Sequence, residues 1–303
     1  MNHREFITRQ ETIDLDGLAH VPIKIAYTDL GKGAPLVVLH GIPTWSYLYH
    51  AVIDRLARHH RVIAPDFIGH GMSDQRDMFD RSLVAQRAMV VRLLDALGLE
   101  RATLVGHDTG GGVALMMGVE NPERVERLVL SNIVAYDSWP IDDMISVGHP
   151  GWKTKSNAAI REFLVAGFKD GLSRKDRLTP EFVEGIIAPY ITDVGKISLI
   201  RNASALNTSH TTMLVDRHAG IKAPTLLAWG VDDPWQPITD GERLARDIPG
   251  ARLVRIENAS HWVPQDAPED WANAVLAFTS GCAAGPLDRT HGVSAPPPAQ
   301  PLT

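Results

Sequence analysis

The sequence predicts an α/β protein whose mostly parallel sheet is covered by helices on both faces. Short apolar runs bounded by Gly or Pro recur along the chain, as they do in strands that are buried on both faces. Helical patterns lie between these runs. Because parallel neighbours need a crossover connection, this alternation of strand and helix favours a parallel sheet.

The elements follow one another in a regular order. The strand-like segments are residues 21–27, 35–40, 61–66, 102–106, 125–131, 224–230 and 251–256. The helix-like segments are residues 47–57, 83–97, 241–246 and 268–278. The helix at 83–97 is the clearest, since Met89, Leu93 and Leu97 share one face and Gly98 follows as a C-cap.

Residues 139–219 interrupt this order, because they contain helical patches and no strong strand. We therefore expect a core of residues 1–138 and 220–280 with an inserted helical cap at 139–219. Residues 281–303 are rich in Pro and Ala and are predicted to be disordered. A chain of 303 residues is long enough to bury a sizeable core.

Composition narrows the possible functions. Lys and Arg number 30 against 36 Asp and Glu, a net charge of −6, so a nucleic-acid partner is not expected. A single cysteine, Cys282, excludes an intramolecular disulfide and a multi-cysteine zinc site, and no H-E-x-x-H motif suggests a metal. Without a membrane-length apolar run or a signal core, we expect a cytoplasmic protein with no membrane partner, and a homodimer is one assembly that it could form.

One five-residue segment carries the sharpest chemical signal. Gly106-His107-Asp108-Thr109-Gly110 joins an apolar strand to a helical segment, the pattern G-x-Nu-x-G of a nucleophile elbow. Such a turn presents its central residue, here Asp108, at the carboxyl edge of the sheet. A glycine-rich turn capped by Asp108 is the structural alternative. A dinucleotide-binding G-x-G-x-x-G is excluded because Leu115 occupies the last glycine position.

Further polar residues follow other strands. Asp233 and His261 come just after the last two strand-like segments, so the chain order is nucleophile, acid, histidine. Asp232 is the neighbouring alternative for the acid. His-Gly-Ile-Pro at 40–43 follows an earlier strand, and backbone N–H groups of Ile42 and Thr109 are expected to form an oxyanion hole.

These motifs resemble the α/β-hydrolase superfamily over about residues 20–280. The segment from His40 to Leu48 is similar to the H-G-x-P-T-x-S-Y-L of haloalkane dehalogenases, in the aspartate-nucleophile branch that includes epoxide hydrolases. The resemblance implies an eight-stranded sheet with a cap. No cofactor is expected, because the nucleophile, the base and water suffice for the reaction. The resemblance also favours Asp233, which matches the family's three-residue offset after Gly230. Some dehalogenases take the acid from the strand before the cap, where the non-ionisable Ser131 and Asn132 stand here.

An aspartate nucleophile points to attack on a saturated carbon. A carboxylate is ionised at neutral pH without a base, and attack on an ester would give a high-energy anhydride. Displacement gives an alkyl ester, which His261, oriented by Asp233, would hydrolyse through an activated water. We therefore expect carbon–halogen hydrolysis, with epoxide hydrolysis or a catalytically silent ligand-binding protein as alternatives.

The resemblance is weakest at the leaving-group site. Thr109 stands where haloalkane dehalogenases commonly carry Trp, and Ile42 where a second halide donor is often Asn. Indole N–H groups elsewhere could take their place, and cap tyrosines would serve an epoxide. The candidate substrate-binding residues are Trp45, Trp139, Trp152 and Tyr190, with Trp235 as a further indole and Tyr136 as a further phenol. For each indole, packing within the cap or the core is the alternative. The expected partner is a small, mostly apolar organic molecule.

Overall fold

A computed structural model describes residues 1–280, and the tail predicted for residues 281–303 lies outside the described residues. The core is one eight-stranded sheet in the order β1-β2-β4-β3-β5-β6-β7-β8. Its strands are β1 (Gln10–Leu15), β2 (Ile23–Leu30), β3 (Pro35–Leu39), β4 (Arg61–Pro65), β5 (Ala102–Asp108), β6 (Val125–Ile133), β7 (Thr225–Gly230) and β8 (Arg252–Ile256). Strand β2 is antiparallel to β1 and β4, and the other pairs are parallel.

The sheet has helices on both faces, as its sequence predicts. The helices are α1 (His3–Thr8), α2 (Ile53–Ala57), α3 (Leu83–Ala96), α4 (Thr109–Glu120), α5 (Asp142–Val147), α6 (Asn157–Asp170), α7 (Pro180–Ile187), α8 (Asp193–Ser204), α9 (Ser209–Thr212), α10 (Ile238–Asp247), α11 (Val263–Asp266) and α12 (Pro268–Thr279). Short 3₁₀ turns occupy Ser46–Tyr49, Pro122–Arg124, Pro150–Thr154, Lys175–Arg177, Ala188–Tyr190 and Val215–Gly220. Within residues 1–280, no helix is long and apolar enough to cross a bilayer.

Side chains along the central strands point alternately to the two faces of the sheet, so a hydrophobic core forms on each face. Val37 and Leu104 pack with α3 and α4 on one face of the sheet, whereas Val38 and Val105 pack with α2 and α12 on the other. Every residue of β5 is buried, which explains why this strand reads as a continuous apolar run. The central strands therefore hold their carboxyl ends in fixed relative positions.

Two segments differ from the sequence prediction. The helix expected at 47–57 is a 3₁₀ turn followed by the short α2, and a hydrogen bond of 2.9 Å from the N–H of Ser46 to buried Asp66 anchors its start. Strand β1 was not predicted, because its largely polar sequence belongs to an edge strand that pairs only with β2.

The stretch predicted as a cap lies between β6 and β7 and contains α5 to α9. We call residues 139–219 the helical insertion. Polar N-caps begin its longer helices: Ser156, Thr179 and Thr192 each accept a hydrogen bond from a backbone N–H in the first turn. The insertion lies over the carboxyl edge of the sheet, and side chains from both regions line one cavity there.

Candidate active site

Asp108 occupies a strained turn between β5 and α4. Its backbone has φ +51° and ψ −124°, a region that residues with a side chain rarely adopt. Gly106 makes the turn possible, because a Cβ there would lie 2.5 Å from the Cα of Gly111. The sharp turn places the Asp108 side chain at the carboxyl edge of the sheet.

Backbone N–H groups hold one side of the Asp108 carboxylate. The N–H of Ile42 donates to Oδ1 over 2.8 Å, and the backbone N–H of Thr109 lies near enough to the carboxyl group to lower its pKa. Burial raises the pKa of Asp108, and the nearby His261 and the two N–H donors oppose that shift. Glycine is required at position 41, since a Cβ there would overlap the Asp108 side chain. The N–H of Ile42, one of the two predicted oxyanion donors, thus binds an oxygen of this carboxylate.

His261 lies between Asp108 and Asp233. Its Nδ1 is 2.8 Å from Oδ2 of Asp233, and its Nε2 is 3.8 Å from Oδ2 of Asp108. Because a carboxylate only accepts, Nδ1 carries the proton and the Nε2 lone pair faces Asp108. Burial lowers the pKa of His261, but the charges of Asp233 and Asp108 outweigh it, so the net shift is upward. The histidine can therefore take a proton from a molecule beside Asp108.

The structure brings Asp233, and not Asp232, to His261. Asp233 is buried, and its Oδ1 accepts from the backbone N–H groups of Trp235 and Gln236 at 2.8 and 3.0 Å. Asp232 is exposed and accepts from Ser173 Oγ at 2.7 Å. The loop after β7 turns Asp233 toward His261 and Asp232 toward solvent, and this decides which of the two aspartates pairs with the histidine.

Asn132 is a partner that the sequence did not reveal. Its Nδ2 donates to Oδ2 of Asp233 over 2.8 Å, and its amide also bonds both backbone groups of Gly230. The residue ties the ends of β6 and β7 together and holds the acid in place. The sequence feature that could have indicated Asn132 is its position at the end of a predicted strand, next to the loop that carries the expected acid.

An apolar cavity opens beside Asp108 and His261. The helical insertion supplies Ile141, Met144, Phe163 and Phe168, and the core supplies residues that include Trp235 and Trp262. Apart from Asp108 and His261, the charged side chain in this lining is Asp143, which is exposed. Such a lining suits a small, uncharged organic molecule.

The structure separates the predicted substrate-binding residues. Trp139 lines the cavity, but its indole N–H donates to Thr211 Oγ1 over 2.8 Å. Trp45, Trp152 and Tyr190 are not among the lining residues. Their polar hydrogens are used in packing, by the carbonyl of Gly185, by Ser146 Oγ and by the carbonyl of Thr44 respectively. These assignments to the substrate site are therefore corrected: the three side chains fix the packing of the helical insertion and the core.

A family model described as the alpha/beta hydrolase fold matches residues 34–268, which is more than half of the chain. The chain belongs to the α/β-hydrolase fold family. A solved structure of an α/β hydrolase fold protein from Burkholderia ambifaria superimposes on this α/β hydrolase with a TM-score of 0.80. It has 29% identity, and the match covers 88% of this chain and 99% of that one.

Curated relatives of this α/β hydrolase carry different activities in their names. It is 29% identical to haloalkane dehalogenase 2 of Mycobacterium tuberculosis, over 84% of this chain and 90% of the relative. It is 30% identical to a cis-3-alkyl-4-alkyloxetan-2-one decarboxylase of Xanthomonas campestris, over 84% and 92%. A soluble epoxide hydrolase of Corynebacterium is 28% identical, over 84% and 93%. Identity at this level leaves the substrate class to be argued from the site.

Proposed function

We propose that this α/β hydrolase cleaves the carbon–halogen bond of small apolar haloalkanes through an alkyl ester on Asp108. One observation carries the proposal: Oδ1 of Asp108 is held by the N–H of Ile42, whereas Oδ2 lies 3.8 Å from His261 Nε2, beyond hydrogen-bond distance. A carboxylate oxygen without a proton donor, facing an apolar cavity, is a nucleophile for a saturated carbon.

Two steps follow from this geometry. Oδ2 of Asp108 attacks the carbon, the new C–O bond forms as the carbon–halogen bond breaks, and the halide leaves with the electron pair. His261 Nε2 then takes a proton from water, whose oxygen attacks the ester carbonyl. The N–H groups of Ile42 and Thr109 stabilise the tetrahedral oxyanion. Collapse passes the proton on His261 to the departing alcohol and leaves Asp108 as a carboxylic acid, which then loses its proton to solvent and becomes the carboxylate again.

Trp235 is the side chain best placed to stabilise the leaving halide. It lines the cavity next to His261, with ring centroids 4.9 Å apart. Among the hydrogen bonds of residues 1–280, none uses its indole N–H, in contrast to those of Trp139, Trp45 and Trp152. An indole N–H has no competing acceptor function and suits a halide.

An epoxide is less favoured because its oxygen leaves as a strong base and needs a proton. Tyr136 donates to Asp247 over 2.7 Å and Tyr190 to the carbonyl of Thr44, and the described cavity lining contains no tyrosine. Burial also raises the pKa of Tyr190 well above its usual value. The site therefore favours leaving groups that depart as stable anions. The carboxylate released when a strained four-membered lactone opens at its saturated carbon fits the same requirement and is our second candidate.

Intact-protein mass spectrometry of the His261→Gln variant tests the proposal. The variant keeps Asp108 but lacks the base, so the ester should accumulate. Incubation with 1-bromobutane should add the mass of a butyl group, and an Asp108→Ala control should add nothing. A mass increase equal to a whole epoxide or a whole β-lactone would show ring opening of that substrate instead, and it would contradict carbon–halogen cleavage as the function. No adduct from any of the three, together with no turnover by the wild type, would favour a ligand-binding protein.

A further inference from the structure

A second, smaller cavity adjoins the first on the other side of the oxyanion donors. It has room for about one water-sized group, and we call it the annex. Ile42, Thr109 and Leu206 line both cavities. The annex combines apolar side chains with polar ones, among which His70 and Arg81 have no role in the proposed chemistry.

Arg81 brings a buried cation to the annex that pairs with no carboxylate among residues 1–280. The side chain is 5% exposed, and its Nη1 donates to the carbonyl of Ser198 and to Asn202 Oδ1 at 2.9 and 3.0 Å. Its Nη2 donates to the carbonyls of Gln75 and Arg76 at 2.9 and 3.0 Å. These acceptors are neutral oxygens, and Nε is buried without a partner among the described residues. An unpartnered buried donor is costly, so this N–H has capacity for a ligand.

His70 brings an unpartnered acceptor to the same cavity. It is also 5% exposed, and its Nδ1 lies 3.1 Å from the carbonyl of Ile68. Because a carbonyl only accepts, Nδ1 carries the proton, and Nε2 is a lone pair that has no partner among residues 1–280. Burial and the neighbouring His40 hold the pKa of His70 well below its usual value, so the lone pair persists at neutral pH.

We propose that the annex binds a hydroxyl group, which accepts from Arg81 Nε–H and donates to His70 Nε2. A hydroxyl both donates and accepts, so it satisfies the two groups together. A carboxylate is less suited, because the other guanidinium nitrogens are occupied and the His70 lone pair would repel it. The inference rests on the proposed function in one respect: the hydroxyl belongs either to a haloalcohol substrate that reaches past Thr109 or to water.

Entry to the annex requires a small movement of its wall. Nε of Arg81 and Nε2 of His70 have almost no accessible surface, so the apolar side chains beside them must yield to a ligand. Leu206 follows α8 in the helical insertion, is only partly buried and lines both cavities. Together with Ile42 and Thr109, it separates a substrate beside Asp108 from the annex.

Crystal structures of the wild-type protein grown with and without 1,4-butanediol test the site independently of catalysis. We expect an oxygen within about 3.2 Å of both Arg81 Nε and His70 Nε2. A diol oxygen there supports a substrate hydroxyl as the occupant, and a water in both crystals supports the same site with water as the occupant. A carbon atom, or no atom within hydrogen-bond distance of either nitrogen, would overturn the proposal.

A substrate pair tests whether a haloalcohol uses the annex. 4-Bromobutan-1-ol and 1-bromopentane have the same length, and the ratio of their kcat/KM values reports the contribution of the hydroxyl. His70→Leu should lower this ratio about tenfold, and His70→Gln, which keeps an acceptor, should restore part of it. A ratio that neither variant changes would contradict a substrate hydroxyl in the annex. Hydrolysis of neither bromide by the wild type would refute the proposed function instead, and the crystal structures would still decide the annex.

Discussion

The two walls of the main cavity are built differently. The wall at the sheet edge holds Asp108, Asp233 and His261 on loops that directly follow strands, and backbone N–H groups and Asn132 orient the carboxylates. The facing wall comes from the helical insertion and presents apolar side chains such as Met144 and Phe163. Backbone geometry thus determines the reacting groups, whereas side-chain choice in the insertion determines what fits against them.

The largest effect is expected from a substitution in the wall at the sheet edge. Asp233→Asn should lower kcat roughly 10³-fold, because an amide favours the wrong tautomer of His261. Adding Asn132→Asp should restore part of the loss, since Asn132 Nδ2 lies 2.8 Å from the carboxylate that would be lost. Steady-state kinetics of the single and double variants measure both effects. An Asp233→Asn enzyme with wild-type kcat would show that the acid lies elsewhere.

A smaller effect is expected where the two walls meet the leaving group. Trp235→Phe should slow formation of the ester about 10- to 100-fold with a bromoalkane, because a hydrogen bond to a developing charge is lost. Trp152→Phe is the matched control: it removes an indole N–H that bonds Ser146 and leaves the cavity lining intact. Rapid-quench kinetics separate this step from hydrolysis. Equal rates for both variants would remove Trp235 from the mechanism.

The pH dependence should differ between the two steps at the sheet edge. Hydrolysis needs neutral His261, so its rate should fall tenfold per pH unit below the pKa of that histidine. The charge of Asp108 helps to raise the pKa of His261, and this charge is absent in the ester. The pKa seen in ester hydrolysis should therefore be lower than that of His261 in the free enzyme, measured by NMR. A pKa equal to or above the free-enzyme value would argue against esterification of Asp108.

The smallest effect concerns stability at the elbow. Asp108→Gly and Asp108→Ala both remove the carboxylate, but only glycine adopts φ +51° without strain. The Gly variant should be more stable than the Ala variant by about 1 kcal/mol, after the greater chain entropy of unfolded glycine is counted. Urea unfolding of the two variants measures the difference. If the Ala variant is equally stable, the turn is not strained.

Sequence predicted the sheet-edge wall much better than the facing one. Strands such as β5 are buried on both faces, so they read as short apolar runs, and Asp108 lies where β5 ends. Asn132 was missed as a partner of Asp233, because pairing between loops depends on how β6 and β7 lie side by side.

Tertiary packing hid the rest of the site from the sequence. Trp45, Trp152 and Tyr190 resemble ligand-binding residues by type, yet each uses its polar hydrogen to join segments of the fold. Arg81 lies just before α3 and bonds α8, and α8 also bonds the carbonyl of Gly69, next to His70. These contacts are visible only in three dimensions. Side-chain type alone does not distinguish a free donor from an occupied one.

The source of the oxygen in the product tests the central claim most directly. In a single turnover in water enriched in oxygen-18, with enzyme in excess over 1-bromobutane, the alcohol should contain ordinary oxygen taken from Asp108. The label should then be found in the Asp108 carboxylate by peptide mass spectrometry. Label in the alcohol and none in Asp108 would show that water attacks the substrate directly, and it would contradict an ester intermediate on Asp108.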